Sequence, residues 1–365
     1  MRSLSFELQR FVAALLWLFL VAVPAWAAGP DDSVLTRERS VVEVGKGIYA
    51  IRHKDGPDTN PQGNTVVIVG DRDVLVIDSG YLPSSAREDI AQIRQWTDKP
   101  VRYLVNTHWH PDHIRGNAAY REAFPDIAII AHPKTLELER GFDEPNLVRY
   151  RARLAALKTQ VESGKGPDGK RLTGVERKEA TTILERRTAV AREFEGYVPV
   201  YPTLLVTDGM NLDLGGRVVE VRNLGTGHTV GDLVVWVPEE KVLVSGDLIV
   251  YPVPYFFAGQ PYDLIRALER IEAMNVSTIV PGHGPVLHDK EHLGRMLVLL
   301  RDTRDKVVQE VRRRGSLSAK EEEVRKSIDF SAAEKQFAGD DADNLEFFRE
   351  SVDGLVRGLF YQIDL

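Results

Sequence analysis

The apolar run Val101 to Val105 ends in Asn106-Thr107-His108-Trp109-His110-Pro111-Asp112-His113, and no other stretch constrains this chain as much. Three histidines and one carboxylate fall within six residues. Imidazole and carboxylate are the side chains that hold borderline divalent metals such as zinc, and four packed this tightly can hardly serve one ion. At the end of a strand, side chains two apart project to the same side, which pairs His108 with His110. Pro111 turns the chain, so Asp112 and His113 reach toward a second ion close by. The stretch reads as one half of a two-metal site. A histidine-rich surface loop is the bland alternative, and the recurrence of ligand-type side chains downstream argues against it.

Composition narrows the partners. A net charge of −7 lacks the basic footprint of a nucleic-acid binder. With 365 residues, 43% of them hydrophobic and 28% charged, the chain suits one large globular domain or two of ordinary size. It has no cysteine. Disulfides, thiolate metal ligands, thiol nucleophiles and lipid attachment through cysteine are excluded, and stability has to come from the core.

Residues 1–27 read as a signal peptide. Arg2 and Arg10 form a positive start, residues 11–23 are apolar but too short for an ordinary span, and Ala25-Trp26-Ala27 is a cleavage site. The expectation is cleavage after Ala27 and export, to a bacterial periplasm, with no stable membrane span remaining. An uncleaved anchor is the alternative.

The motif H-x-H-x-D-H, followed here by Ile114-Arg115-Gly116-Asn117-Ala118-Ala119-Tyr120, resembles the signature of the metallo-β-lactamase superfamily. The resemblance implies an α/β fold, an αββα four-layer sandwich, over residues 35–290. The pattern along the chain agrees with alternating strands and helices. Residues 41–52 read as a strand pair broken at Gly45-Lys46-Gly47, and residues 64–69 and 74–77 as a second hairpin. A helix is expected over 86–97, another over 118–124, and a strand over 127–131. About 134–200 the character turns helical and charged, with a stripe of Leu147, Tyr150, Leu154, Leu157 and Val161 and a second helix from about Val175 to Phe194. Such an insertion shapes the active-site mouth in members of this superfamily; a solvated helical pair is the other reading. Strands and hairpins then resume to Ile279-Val280-Pro281-Gly282-His283-Gly284. Residues 291–365 are helices that pack on the domain through Leu293, Leu297, Leu300, Val307 and Val311, then Leu345, Phe348, Val352, Leu355 and Leu359.

Matched residue by residue, the resemblance assigns His108, His110 and His228 to one metal and Asp112, His113 and His283 to the other, with Asp247 bridging. It also implies that Asp78, at the end of its strand, orients a metal-binding histidine, although a turn or cap carboxylate is an equal reading of that residue alone. His53, His132, His288 and His292 are left as ordinary residues. Five imidazoles and two carboxylates suit zinc and admit iron or manganese.

Two such ions share a water and lower its pKa, so hydroxide is the nucleophile, with Asp112 orienting it. The implied activity is an exported dinuclear hydrolase that cleaves an ester, thioester, lactone or lactam-type bond of a small-molecule substrate. A true β-lactamase is the alternative. Remoter still are a sulfatase or phosphodiesterase and an iron-dependent oxidoreductase of sulfur compounds. Asp247 stands where one β-lactamase subclass has a metal-binding cysteine, and Val250 where it has a lysine that holds the substrate carboxylate. Arg115, Tyr251 and Tyr255 are candidate substrate contacts, with packing or solvent exposure as the competing reading for each.

Overall fold

Strands that are apolar at every position need cover on both faces. Two stretches of this chain set that demand, Val74–Ile77 (VLVI) and Leu233–Val237 (LVVWV), and both are buried throughout. The computed structural model, which describes residues 39–256, 260–315 and 318–363, supplies the cover with two stacked sheets and helices outside each. The first sheet takes its strands in chain order: β1 (Ser40–Gly45), β2 (Ile48–Arg52), β3 (Thr65–Val69), β4 (Val74–Ile77), β5 (Val101–Val105), β6 (Ala128–Ala131) and β7 (Leu204–Leu205). Pairing is antiparallel as far as β4 and parallel from there to β7. The second sheet holds β8 (Gly209–Asp213), β9 (Val218–Asn223), β10 (Leu233–Val237), β11 (Val242–Val250) and β12 (Thr278–His283), antiparallel except for β11 beside β12.

The helices among the described residues are α1 (Pro83–Trp96), α2 (Pro111–Ile114), α3 (Asn117–Ala123), α4 (Pro133–Ser163), α5 (Gly174–Glu193), α6 (Pro261–Ala273), α7 (Glu291–Arg314), α8 (Glu321–Ser327), α9 (Ser331–Phe337) and α10 (Ala342–Tyr361). Successive strand residues point to opposite faces, so each sheet feeds two cores. Val66, Ile68, Leu75 and Ile77 meet Val219, Val221, Val235 and Val244 between the sheets. Val67, Val76 and Leu104 face outward onto Ile90 and Ile93 of α1 and Tyr120 of α3. On the far side Val234, Trp236, Leu243 and Ile279 meet Leu264 and Leu268 of α6, Leu297 of α7 and Val352 of α10. The layers therefore run α, β, β, α, as expected. The short helices α8 and α9 lie within the stretch expected to be helical, and each buries a single residue, Val324 and Phe337, too few to show a period of its own.

The insertion between β6 and β7 is a helical hairpin of α4 and α5, but α4 begins at Pro133, well before the apolar stripe that opens at Leu147. The buried face of its first half is Thr135, Glu139 and Asp143, leading to Leu147. That spacing of four is helical, yet its polar residues hide it from a search for apolar periodicity. Beyond Leu147 no residue of α4 is buried, and in α5 only Val190 is. The expected signal peptide and its cleavage after Ala27 lie outside the described residues. Among those residues no helix is long and apolar enough to cross a membrane.

Because α10 shares its core with β10 and β11, truncation there acts on the whole fold. Leu355 is 0% exposed. Leu355→Ala should cost about 2–5 kcal/mol and move a single unfolding transition, followed by circular dichroism in denaturant. A separate early transition for the C-terminal helices would refute the shared core.

Candidate metal centre

Each ligand-type side chain sits where a strand ends or bends. β5 runs out into His108 and His110, and α2 opens on Pro111, whose missing N–H costs nothing in a first turn. That single turn carries Asp112 and His113. His228 lies in the loop between β9 and β10, a turn closed by Asp232, whose carboxylate accepts from Thr229 N at 2.9 Å and Thr229 Oγ1 at 2.6 Å. Asp247 lies within β11, which runs on to Val250. The strand bends just before Asp247: Gly246 has φ +51°, the register slips there, and a Cβ would fall 2.7 Å from Thr107 Oγ1. His283 ends β12, flanked by the carbonyls of Pro281 and Gly284, both of which accept from Asn64 Nδ2 at 2.9 Å.

Two groups result. His110 Nδ1 lies 3.1 Å from His108 Nε2 and 2.9 Å from His228 Nε2. In the second group Asp112 Oδ2 is 3.3 Å from His113 Nε2 and 3.0 Å from His283 Nε2, and those two nitrogens are 3.3 Å apart. Asp247 stands between them. Its Oδ2 is 3.7 Å from His108 Nε2 and 3.5 Å from His228 Nε2, while its Oδ1 is 3.3 Å from His113 Nε2 and 3.5 Å from His283 Nε2. Ligands about 2.0–2.1 Å from a tetrahedral ion stand roughly 3.3 Å from one another. Both groups have that size, and their nitrogen and oxygen donors are those a borderline divalent cation takes.

The ring orientations are set from behind. Asp78 accepts from Thr107 N and Thr107 Oγ1, each at 2.8 Å, and from His113 Nδ1 at 2.8 Å. Having donated its own proton to Asp78, the Thr107 hydroxyl accepts from His108 Nδ1 at 3.0 Å. Both imidazoles thus keep the proton on Nδ1 and present Nε2 to the cluster. Thr107, Asp232 and Asn64 carried no role in the sequence reading. The available signal was a short hydrogen-bonding side chain beside, or a few residues from, a ligand.

Electrostatics separate the groups. Burial holds His108 well below the ordinary imidazole range and brings His228 down to about 3, so both are neutral donors. Burial also disfavours charge on His113 and His283, but Asp247 and Asp112 outweigh it, raising His113 well above its usual value and His283 to about 9. The two carboxylates, which burial alone would push up, are held far down by the same histidines.

Comparison with known proteins follows the same lines. The profile described as the metallo-beta-lactamase superfamily matches residues 58–283. The chain belongs to that superfamily. Among curated relatives it is 22% identical over 240 residues to a linear primary-alkylsulfatase of a Pseudomonas species, covering 63% of this chain and 43% of that protein. It is 25% identical over 239 residues to a beta-lactamase-like protein 2 homolog of Caenorhabditis elegans, covering 64% and 60%. The chain thus spans about half the length of these relatives. Among solved structures, a metallo-beta-lactamase from Pontibacter korlensis aligns with TM-score 0.51 at 18% identity over 73% of this chain and 100% of that one. One from Erythrobacter litoralis, with beta mercaptoethanol in its active site, aligns with TM-score 0.50 at 18% identity over 73% and 97%. These likenesses are of fold.

The remaining residues of this superfamily member divide clearly. Arg115, for which substrate contact and packing were the two readings, is 2% exposed, its Nε donates to Asp143 Oδ1 at 2.8 Å, and its guanidinium stacks over Phe194. A buried cation needs its counter-charge, and Asp143 supplies it. The Tyr255 ring lies 5.1 Å from the His228 ring and 6.5 Å from the His110 ring, whereas the Tyr251 ring packs 5.0 Å from His292. His292 Nε2 donates to the Val250 carbonyl, His132 caps α4 by accepting from Lys134 N, and His288 is exposed. His53 is buried between Asp89 Oδ2 at 2.8 Å and the Gly63 carbonyl at 3.0 Å.

We expect close to two metal ions per purified chain by elemental analysis, and loss of activity on chelation. At most one ion after zinc loading would count against Asp247 and His283 as ligands. His110→Ala and Asp112→Ala should each remove nearly all turnover, whereas His132→Ala and His288→Ala leave it nearly intact; equal damage from His132→Ala would undo the sorting of ligands. Burial lowers the pKa of His53, but Asp89 and Gly63 outweigh it and raise it overall. Its protonated form therefore stabilises the fold below about pH 6.5, the unfolded value, and that contribution fades as pH rises through the elevated value. The stability difference between wild type and His53→Phe should shrink toward alkaline pH; a constant difference would contradict the shift.

Proposed function

We propose that this protein is an exported, dinuclear, zinc-dependent hydrolase that cleaves an ester, thioester or lactone bond of a small-molecule substrate. The observation that carries this reading is the Asp247 carboxylate, one oxygen turned to His108 and His228 and the other to His113 and His283. His108, His110 and His228 would hold one ion, and Asp112, His113 and His283 the other. Two ions so held acidify water and polarise the scissile group when bound.

The chain's own residues account for the rest. Asp112 is held ionised and lies beside His113 and His283, where a carboxylate orients an attacking water and accepts its proton. Tyr255 sits over the first ligand group. Burial and the negative charges of Asp112 and Asp247 keep its phenol protonated, so it can donate to an oxygen that gains charge as the bond breaks. Tyr255→Phe should lower kcat by roughly ten- to a hundredfold, the worth of one hydrogen bond to a charged group. An unchanged kcat would remove Tyr255 from the mechanism.

The absence of a fixed cation at two positions argues against a β-lactam as the preferred substrate. A β-lactam carries a carboxylate beside its scissile amide. Val250, 8% exposed, has no charge to offer it, and Arg115 is engaged with Asp143. Similarity to an alkylsulfatase keeps sulfate esters as a second reading. The test is kcat/KM for a cephalosporin, a thioester, a lactone and an alkyl sulfate on one zinc-loaded preparation. A cephalosporin favoured by tenfold or more would make this a β-lactamase.

A further inference from the structure

We propose that the first helix of the insertion braces the metal ligands, and that the buried Arg115–Asp143 pair is the contact that positions the second ligand group; this rests on the dinuclear reading above. One face of α4 meets the segments that carry or back the ligands of both groups. Thr135 Oγ1 donates to the Gly231 carbonyl at 3.0 Å, in the loop that carries His228. The Phe142 ring packs 4.7 Å from Trp109, the residue between His108 and His110. Asp143 and Asn146 accept from Arg115 at 2.8 and 3.1 Å. Tyr150 OH donates to Asp58 at 3.3 Å, in the loop whose Gly63 N donates to the Asp112 carbonyl at 3.1 Å. Residues 135, 142, 143, 146 and 150 recur at helical spacing and share a side of α4.

Arg115 has a particular place among these contacts. Its N–H donates to the Pro111 carbonyl at 3.2 Å and closes the turn that holds Asp112 and His113. Its guanidinium is fixed in three ways: by Asp143, by Asn146, and by the rings of Tyr81 and Phe194 at 5.4 and 4.8 Å. Arg115 and Asp143 are each 2% exposed. A buried ion pair adds little net stability but tolerates few relative positions of its partners, because displacement strands a charge. The pair therefore registers α2 against α4, and with it the two ligands that α2 supplies. The first group has no ligand on α2, so the effect belongs to the second.

The experiment measures both ions rather than turnover. Full-length wild type, Arg115→Met, the paired Arg115→Met/Asp143→Leu and Asn146→Ala are loaded with zinc and titrated with a chelator. Thermal unfolding of the metal-free proteins is followed in parallel. The paired variant strands no charge, and Asn146→Ala removes only one hydrogen bond, so a foldable protein remains. The second ion should bind about ten- to a hundredfold more weakly in the Arg115 variants, as when support behind a metal ligand is lost, and less so in Asn146→Ala. The first ion should hold within about threefold. A paired variant that retains both ions at wild-type affinity would overturn the proposal. So would equal weakening of both ions alongside a lower unfolding temperature, which marks a structural pair only. A wild type that holds one ion overturns the dinuclear reading and this inference together.

Discussion

A single carboxylate, that of Asp247, joins the two halves of the candidate centre. Around it stand six other titratable side chains in two groups, the donor atoms of each group lying within 4.8 Å of one another, at a depth where isolated charges are costly. Such a cluster persists only if its charges compensate, and Asp112 and Asp247 do so with His113 and His283. The local backbone yields to this requirement. β11 bends at Gly246 to turn Asp247 inward, and Gly282 lacks the Cβ that would collide with its Oδ1. Glycine at those points is a matter of space and handedness.

The four layers serve the centre by supplying strand ends. β5, β11 and β12 each deliver a ligand-type side chain at or near the same rim, and β4 delivers Asp78 behind them. Each strand is buried on both faces, so none can slide by one residue without exchanging its core contacts. The positions of the functional groups are thereby inherited from ordinary hydrophobic packing. Hydrogen bonds from Thr107, Asp78 and Asn64 then fix what packing leaves free, namely ring rotation and the path of the loop.

Chemistry at the rim depends on which charges are left facing it. Arg115 follows closely on His113 in sequence but turns away into a buried pair with Asp143. Val250 carries no charge. The aromatic Tyr255 faces the first ligand group instead, against Phe347 of the C-terminal helix at 6.0 Å between ring centres. An anion-gripping cation is therefore missing from the two positions where the sequence invited a search for one. A hydrogen-bond donor set among aromatic rings stands near the site.

The sequence by itself determined the superfamily and the two-sheet fold, through the H-x-H-x-D-H motif and the alternation of apolar strands with helices, and the resemblance that motif carries pointed to the seven residues that the fold brings together. It also separated the four remaining histidines from the cluster. The tertiary structure decided what depends on partners distant in the chain. Arg115 reads as a substrate contact or a packed side chain until Asp143 is seen 2.8 Å away, and His53 as an ordinary histidine until Asp89 closes on it. The early start of α4 was hidden for a related reason: its buried face is polar, with Thr135 donating to the Gly231 carbonyl and Asp143 accepting from Arg115, and apolar periodicity cannot report a helix buried through such contacts. Where burial is driven by apolar area the sequence speaks plainly; where it is paired polar group against polar group, only the fold brings the partners together.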